Sequence, residues 1–556
     1  MTDITRRTLL GGAAAAGAAG LLCPPASRAD TRPGDRVFSL KVGAVSGVSG
    51  VIEPGRRFVL AGVQWAGPEM ARIEVRARPR NGRWSPWALA SVRGHEPDRP
   101  AAGAAQFGEP LWFGPADQVQ LRSGDAVNGV RLHFVAAGAV PTAPAAGMRR
   151  HITGVPYPLV DVNLPAGPGQ PPIIARSAWA GRGHPPSSGP YYSAIDLAFV
   201  HHTENPNGYS PGQVPAMLLA IYDYHRFTRG YFDIAYNFVI DLYGRIWEAR
   251  AGGVDEPVIG AHAGGYNSVS TGVAILGSFM FAEPSAAAIA ALQRLLAWKL
   301  ALHGVPALGK VRVEVNPSDA FYTPFAPGQR VLLPRIAGHR DGDLTSCPGN
   351  DLYQRLPAVR TTVHRQAGPL FALSLAAAQT AVAPGAAVAL SGAFVQSGGA
   401  PVAGAPLQVQ SVTGNGALTT LASVTTGADG AWSATLPFPQ SAVLRALHAA
   451  SPAAVSNLVV VGVTPVLTLA LAATSPLRVT GTVAPAKPVT VDAYKLVRGR
   501  RKLVSSRRVK AAGGTFSARV SLGHKPRGHY VIVARAAADA VSLAGASAPV
   551  TVTAPA

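Results

Sequence analysis

A mixed α/β domain set between β-rich flanks is the fold this 556-residue chain predicts, and three observations carry it. Between residues 172 and 365, apolar runs with strand character alternate with helix-periodic segments. On both sides of that window, short runs alternate apolar and polar residues between Gly, Pro and Asp turns, the pattern of β-sandwiches. Pro/Ala/Gly-rich stretches at Ala136–Gly147 and 164–172 separate the first flank from the middle.

The N-terminus reads as an export signal over residues 1–29. Thr5-Arg6-Arg7-Thr8-Leu9-Leu10 is a twin-arginine pattern, Gly11–Leu22 is apolar, and Ala26-Ser27-Arg28-Ala29 fits cleavage after Ala29. The apolar run falls short of the roughly 20 residues that span a bilayer. Leu22 stands before Cys23 where lipidation usually needs a small residue. A soluble protein, secreted or bound to the cell wall and without a membrane span after signal removal, is the expectation.

Residues 30–136 predict a β-sandwich-like domain, with strands at Phe58–Trp65, Arg72–Arg78 and Val130–Val135. A linker over 137–171 leads to the central domain. After residue 370 the β pattern resumes, and a shorter echo of it follows. Two tandem immunoglobulin-like sandwiches, 370–463 and 464–556, are the reading.

Chemistry concentrates in the middle. His339-Arg340-Asp341-Gly342-Asp343-Leu344-Thr345-Ser346-Cys347 ends in the one cysteine outside the signal segment, eight positions after a histidine. A lone cysteine so placed is a metal ligand or a nucleophile. The apolar run Leu197–Val200 ends in His201-His202-Thr203, and a buried strand there delivers one imidazole to each side of its sheet. One of those rings with His339 and Cys347 makes a His-His-Cys set, which leaves a fourth zinc position open. The other ring is a hydrogen-bonded core residue, the reading preferred for His202. Ala235–Ile240 and Arg245–Arg250 around Asp241–Gly244 predict a hairpin, and Ser270–Phe279 a glycine-flanked buried strand.

In this order the pieces resemble the type 2 zinc amidases, the family of the peptidoglycan recognition proteins and T7 lysozyme, over roughly residues 172–360. The resemblance implies an α/β amidase domain at 172–365, with a mixed central sheet and flanking helices. It implies one zinc ion held by His201, His339 and Cys347, catalytic roles for Tyr236 and Thr345, and substrate contacts by His262 and Asn267. The implied reaction is hydrolysis of the amide between N-acetylmuramic acid and L-alanine of the stem peptide. The implied enzyme is therefore a zinc-dependent N-acetylmuramoyl-L-alanine amidase acting on peptidoglycan or muropeptides. Animal members carry a disulfide near the groove that this chain has no cysteines to form, which points to the bacterial branch. Zinc would bring the pKa of a bound water to about 7. The Tyr236 hydroxyl would hold that water or the developing oxyanion, and the neutral Thr345 hydroxyl would add a weaker bond. No carboxylate stands out as general base. The alternatives are a peptidoglycan-binding protein that does not cleave, and a metal-free cysteine hydrolase.

Other polar positions read as structural. His225 lies in the helix-periodic Met217–Phe227 and is a packing residue. Glu248 and Arg250 form an ion pair or an exposed face. His303 closes the helix Ala286–Leu302, where a cation suits the C-terminus. The formal charge of +21 favours polyanions. Without a recognition motif, nucleic acid is not the expected partner, and anionic cell-wall polymers fit an exported protein better. Part of that charge lies in Lys495–Lys502 and Arg507–Lys510, a solvated hairpin or a wall-binding one. Every chemical motif falls within 172–365, so that segment alone should suffice for catalysis.

Overall fold

The structure, a computed structural model, describes residues 36–67, 71–91, 97–98, 105–138, 169–181, 183–397, 399–412, 418–523, 526–539 and 542–554. The signal segment 1–29, its cleavage site and most of the linker 137–171 lie outside the described residues.

The central sheet sets the site. It has six strands in the order Ile336–Gly338, Leu197–His202, Ser270–Ile275, Phe238–Ile240, Ile246–Glu248, Ile173–Ile174. Phe238–Ile240 and Ile246–Glu248 pair antiparallel as the predicted hairpin, whereas the other four pairings are parallel. Asp241 builds the turn, its Oδ1 accepting from the N–H groups of Tyr243 and Arg245 at 3.0 and 3.1 Å. Both inner strands, Leu197–His202 and Ser270–Ile275, are buried at every residue, as parallel strands covered on both faces must be.

Alternation then assigns the faces. Ala198, Val200, Phe238 and Ile240 pack with the helices Ala286–Leu302 and Asn350–Ala367. The second of these buries Leu352, Leu356, Val359 and Val363, one apolar stripe. Ser285 caps the first, its hydroxyl oxygen accepting from Ala288 N–H at 3.0 Å. Val239, Trp247 and Ala274 face the other way, toward the helix Val214–Asp223.

The N-terminal strands form one seven-stranded sheet. Its long strand Gln118–Ala136 pairs early with Ile73–Arg78 and late with Phe58–Ala66, so hydrogen bonds join what alternation alone reads as separate layers. This domain does not stand apart. Leu60, Trp112 and Val135 share one apolar cluster with Leu218, Tyr222 and Tyr236 of the central domain. Arg36 reaches Asp223 at 2.9 Å.

After residue 370 the chain is mostly sheet. Strands from Phe371 to Val463 make a four- and a six-stranded sheet around one core, and those from Val466 to Ala554 a four- and a five-stranded sheet around another. The first of these units docks on the central domain through buried Arg445, which meets Asp255 Oδ2 at 2.9 Å and Glu256 Oε1 at 2.5 Å. Among the described residues no helix is long and apolar enough to cross a membrane.

Candidate metal centre

Register explains why residues 146 positions apart meet. Gly338 pairs with Val200 across parallel strands, so His339 leaves its strand beside His201. The two imidazoles lie 4.5 Å apart, centroid to centroid. A Cβ on Gly338 would stand 2.6 Å from the Tyr353 ring, so only glycine lets the strand end approach that helix. A one-turn helix, His339–Asp341, then reverses the chain. The loop closes when Arg340 N–H donates to the Cys347 carbonyl at 2.9 Å. Thr345 sits inside this closure, its Oγ1 accepting from Cys347 N–H at 3.2 Å.

His201, His339 and Cys347, all buried, place their donor atoms within 4.8 Å of one another. Cys347 Sγ is 3.7 Å from His201 Nδ1. Tetrahedral zinc with its usual bond lengths would separate a sulfur and a nitrogen ligand by roughly 3.6 Å. Soft thiolate with two imidazoles also suits zinc by donor chemistry. The residues fit the metal.

Each histidine is braced from behind. His339 Nε2 meets Asp343 Oδ2 at 2.9 Å, and that carboxylate also accepts from Gly264 N–H at 2.8 Å. With Nε2 so engaged, Nδ1 is the nitrogen directed away from Asp343. His201 turns Nδ1 to Cys347 and Nε2 to His262 Nδ1, 3.2 Å away. His262 is fully buried, and a Cβ on Gly272 would come within 2.3 Å of its ring, so the strand must carry glycine there. Asn267 Oδ1 accepts from His262 N–H and Ala263 N–H at 2.7 and 3.1 Å, while its amide donates to Asp319. The resemblance gives these two residues to substrate; in the fold both are buried, His262 against the His201 ring and Asn267 against the His262 backbone.

Tyr236 packs its ring 5.5 Å from that of His201. Burial pushes its phenol well up, and the Glu109 carboxylate adds to the effect, so the hydroxyl stays protonated and able to donate. Glu109 comes from the N-terminal domain and is itself buried. Its loop is held by the Tyr224 hydroxyl donating to Gly108 O and by Trp112 N–H donating to Asn205 Oδ1. Burial also pushes the Cys347 thiol well up, with His202 N–H pulling against it.

The remaining polar residues sort by their partners. His202 Nδ1 accepts from Phe279 N–H, which leaves Nε2 facing Glu204 Oε1 at 2.7 Å. His225 accepts from Ala235 N–H and stacks on Tyr231, a packing residue as expected. Arg250 enters an ion pair, one of the two expected readings, with Asp98 of the N-terminal domain, whereas Glu248 accepts from Arg176 N–H. One expectation changes. Burial, with the Lys299 ammonium, drives His303 to its neutral form, so it bonds Asp255 O and supplies no cation to the helix end. Sequence reasoning passed over Asp343, although its place four residues after His339 was a usable signal. Nothing local in the sequence marks Glu109.

A family model described as N-acetylmuramoyl-L-alanine amidase matches residues 191–350. A second, described as Rv3811 N-terminal galactose-binding domain-like, matches residues 19–147. The chain is 30% identical over 158 residues to peptidoglycan-recognition protein 1 of Holotrichia diomphalia, covering 27% of this chain and 78% of that protein. It is 29% identical over 184 residues to peptidoglycan-recognition protein SC2 of Drosophila simulans, covering 33% and 84%. Among solved structures, wild-type Drosophila PGRP-LB is similar at 25% identity over 34% of this chain and 92% of that one, with a TM-score of 0.27.

Proposed function

Because the chain belongs to the type 2 amidase and peptidoglycan recognition protein family, we propose that it hydrolyses the N-acetylmuramoyl–L-alanine amide of peptidoglycan, with zinc held by His201, His339 and Cys347. The observation that carries this reading is the convergence of those three buried donor atoms within 4.8 Å, beside a neutral phenol. When bound there, zinc would polarise the scissile carbonyl and supply a nucleophilic water at neutral pH. The chain's own residues supply the rest. Tyr236 donates its hydroxyl hydrogen to the oxygen that gains charge as the amide is attacked. Thr345 keeps Cys347 aimed through its backbone N–H and still has a hydroxyl hydrogen to donate. His262 and Asp343 hold the rings of His201 and His339 in the tautomers the metal needs. A buried thiol pushed up in pKa is a poor nucleophile, which disfavours the metal-free cysteine hydrolase.

The test is direct. Zinc-loaded full-length protein incubated with soluble muropeptides should release free stem peptide, detected by mass. Binding without release would establish the second reading, a recognition protein that does not cleave. One observation favours that reading: His201, His339, Tyr236 and Cys347 are at most 3% exposed, so these side chains offer little open surface to a substrate.

Two substitutions separate the roles. Tyr236→Phe should keep zinc and fold yet lower kcat by roughly 10²–10³-fold, as expected for one lost oxyanion donor. An effect confined to KM would instead make Tyr236 a binding residue. Asp343→Ala should weaken zinc about 10–100-fold, read by competition with a chromophoric chelator. An unchanged zinc affinity would show that His339 needs no brace.

The domain scheme and address belong to this same reading. A twin-arginine signal at 1–29 exports the chain, a β domain at 30–136 and linker 137–171 precede the amidase domain at 172–365, and immunoglobulin-like units occupy 370–463 and 464–556.

A further inference from the structure

We propose that the last β unit carries a binding site for a flexible anionic polymer, of the phosphodiester-linked polyol class, along its edge hairpin. This goes beyond the amidase reading and does not depend on it. The strand Arg500–Val509 is the edge of its five-stranded sheet and pairs with Val489–Val497. Arg500, Arg501, Lys502, Arg507 and Arg508 are exposed along it, spread over about 30 Å. The one acidic residue between 478 and 519, Asp492, is fully buried and paired with Arg535, so it offsets none of that charge.

Two pairings go against the stability of the free protein. Lys495 stands directly opposite Lys502, and on the neighbouring sheet Arg478 stands directly opposite Arg519. Like charges in direct cross-strand positions repel, and an anion between them would relieve the repulsion. At the base of the hairpin lies a cavity of about 430 Å³ with an apolar wall that includes Leu477 and Val520 and a polar one of Ser506, Arg507 and Arg519, where the Ser505 hydroxyl already donates to Ser521 O at 2.7 Å. Arg507 pairs in register with buried Val491, which places its side chain on the inner face. Guanidinium and hydroxyl donors around one recess are the chemistry that holds a phosphate oxygen.

Cations on an edge strand also discourage aggregation. That role explains neither the opposed pairs nor two arginines around a recess. The exposed Leu496, Val497, Leu503 and Val504 would suit a lipid surface as well as the carbon skeleton of a polymer. A bilayer cannot enter the recess between Arg507 and Arg519, whereas a single chain can. The polymer is therefore the occupant.

The experiment uses the full-length protein and a labelled soluble poly(glycerol phosphate), with binding followed by fluorescence anisotropy across a salt series. Affinity should fall steeply with salt, and Arg507→Gln with Arg519→Gln should make the slope of log affinity against log salt shallower by about 2. Lys495→Glu should weaken binding and yet raise Tm by roughly 1–4 °C, because it turns a repulsive pair into an attractive one. A merely structural role would move stability and binding together. Hydrolysis of soluble muropeptides should be untouched in both variants, so a failure there reports on the amidase reading alone. Unchanged polymer affinity in both variants overturns the proposal, as does tighter binding to phosphatidylglycerol vesicles than to the polymer.

Discussion

Cys347→Ser in the full-length chain should empty the metal site and abolish amide hydrolysis. Of the three donors, the thiolate is the softest and brings the negative charge, so its loss should weaken zinc by more than the roughly 10–100-fold that losing an outer partner does. Zinc content per folded protein and stem-peptide release should fall together. His202→Ala is the control. The His202 ring meets Glu204 and Phe279 N–H, and only its backbone N–H, which alanine keeps, reaches Cys347 Sγ; removing the ring leaves a buried carboxylate without that partner. It should therefore destabilise by about 1–3 kcal/mol while the folded fraction keeps its zinc. The metal should also load with a pH dependence of definite sign. Burial pushes the thiol up, so binding must release a proton, and zinc affinity should rise as pH rises. Full turnover in rigorously metal-free protein would end the zinc reading.

Why the donors could be read from sequence and their surroundings only in part follows from distance along the chain. His339 and Cys347 share one nine-residue loop, and His201 ends an apolar run, so local pattern marks all three. The hairpin at Asp241–Gly244 and the helix Ala286–Leu302 carry their own turn and cap residues, and they form where expected. Asp343 was within reach, because a metal-binding histidine needs an acceptor for its other nitrogen. Glu109 and Arg36 were not, since docking between domains is decided by surfaces that no local periodicity encodes. His303 shows the same limit: its place at a helix end is local, but its neutral state comes from Lys299 and from burial.

That docking changes the expected behaviour of residues 172–365 taken alone. The sequence points to a self-sufficient catalytic segment, whereas the fold joins it to the N-terminal domain through a shared apolar cluster and several buried polar contacts. Arg36 meets Asp223, which is fully buried. Asp98 pairs with Arg250 and accepts from Phe232 N–H at 2.8 Å. Burial already lifts Asp223 to about 7, with Arg36 pulling it down. Without Arg36 the fragment leaves Asp223 only the His184 ring, 4.0 Å away, among its described ion-pair partners, and the carboxylate must rest on that contact or hold a proton. Losing Arg36 costs about 3–5 kcal/mol, which for a segment of this size is roughly 6–20 °C in Tm. The pH dependence follows from the raised pKa. Folded Asp223 holds its proton where the unfolded chain has released it, so stability falls as pH rises from about 4 toward 7. Loss of Arg36 should extend that fall above pH 7 in the fragment. A chain of residues 36–365 should melt well above 172–365, and Asp223→Asn should recover part of the gap in the shorter piece. The shorter piece also lacks the Gly108–Trp112 loop, held by Tyr224 and Asn205 and sharing an apolar cluster with Tyr236 through Trp112, so its hydrolysis of soluble muropeptides should be slower even when zinc-loaded and folded. A 172–365 fragment that melts with the longer chain and turns over as fast would restore the division of labour expected from the sequence, and would leave the N-terminal contacts without a catalytic consequence.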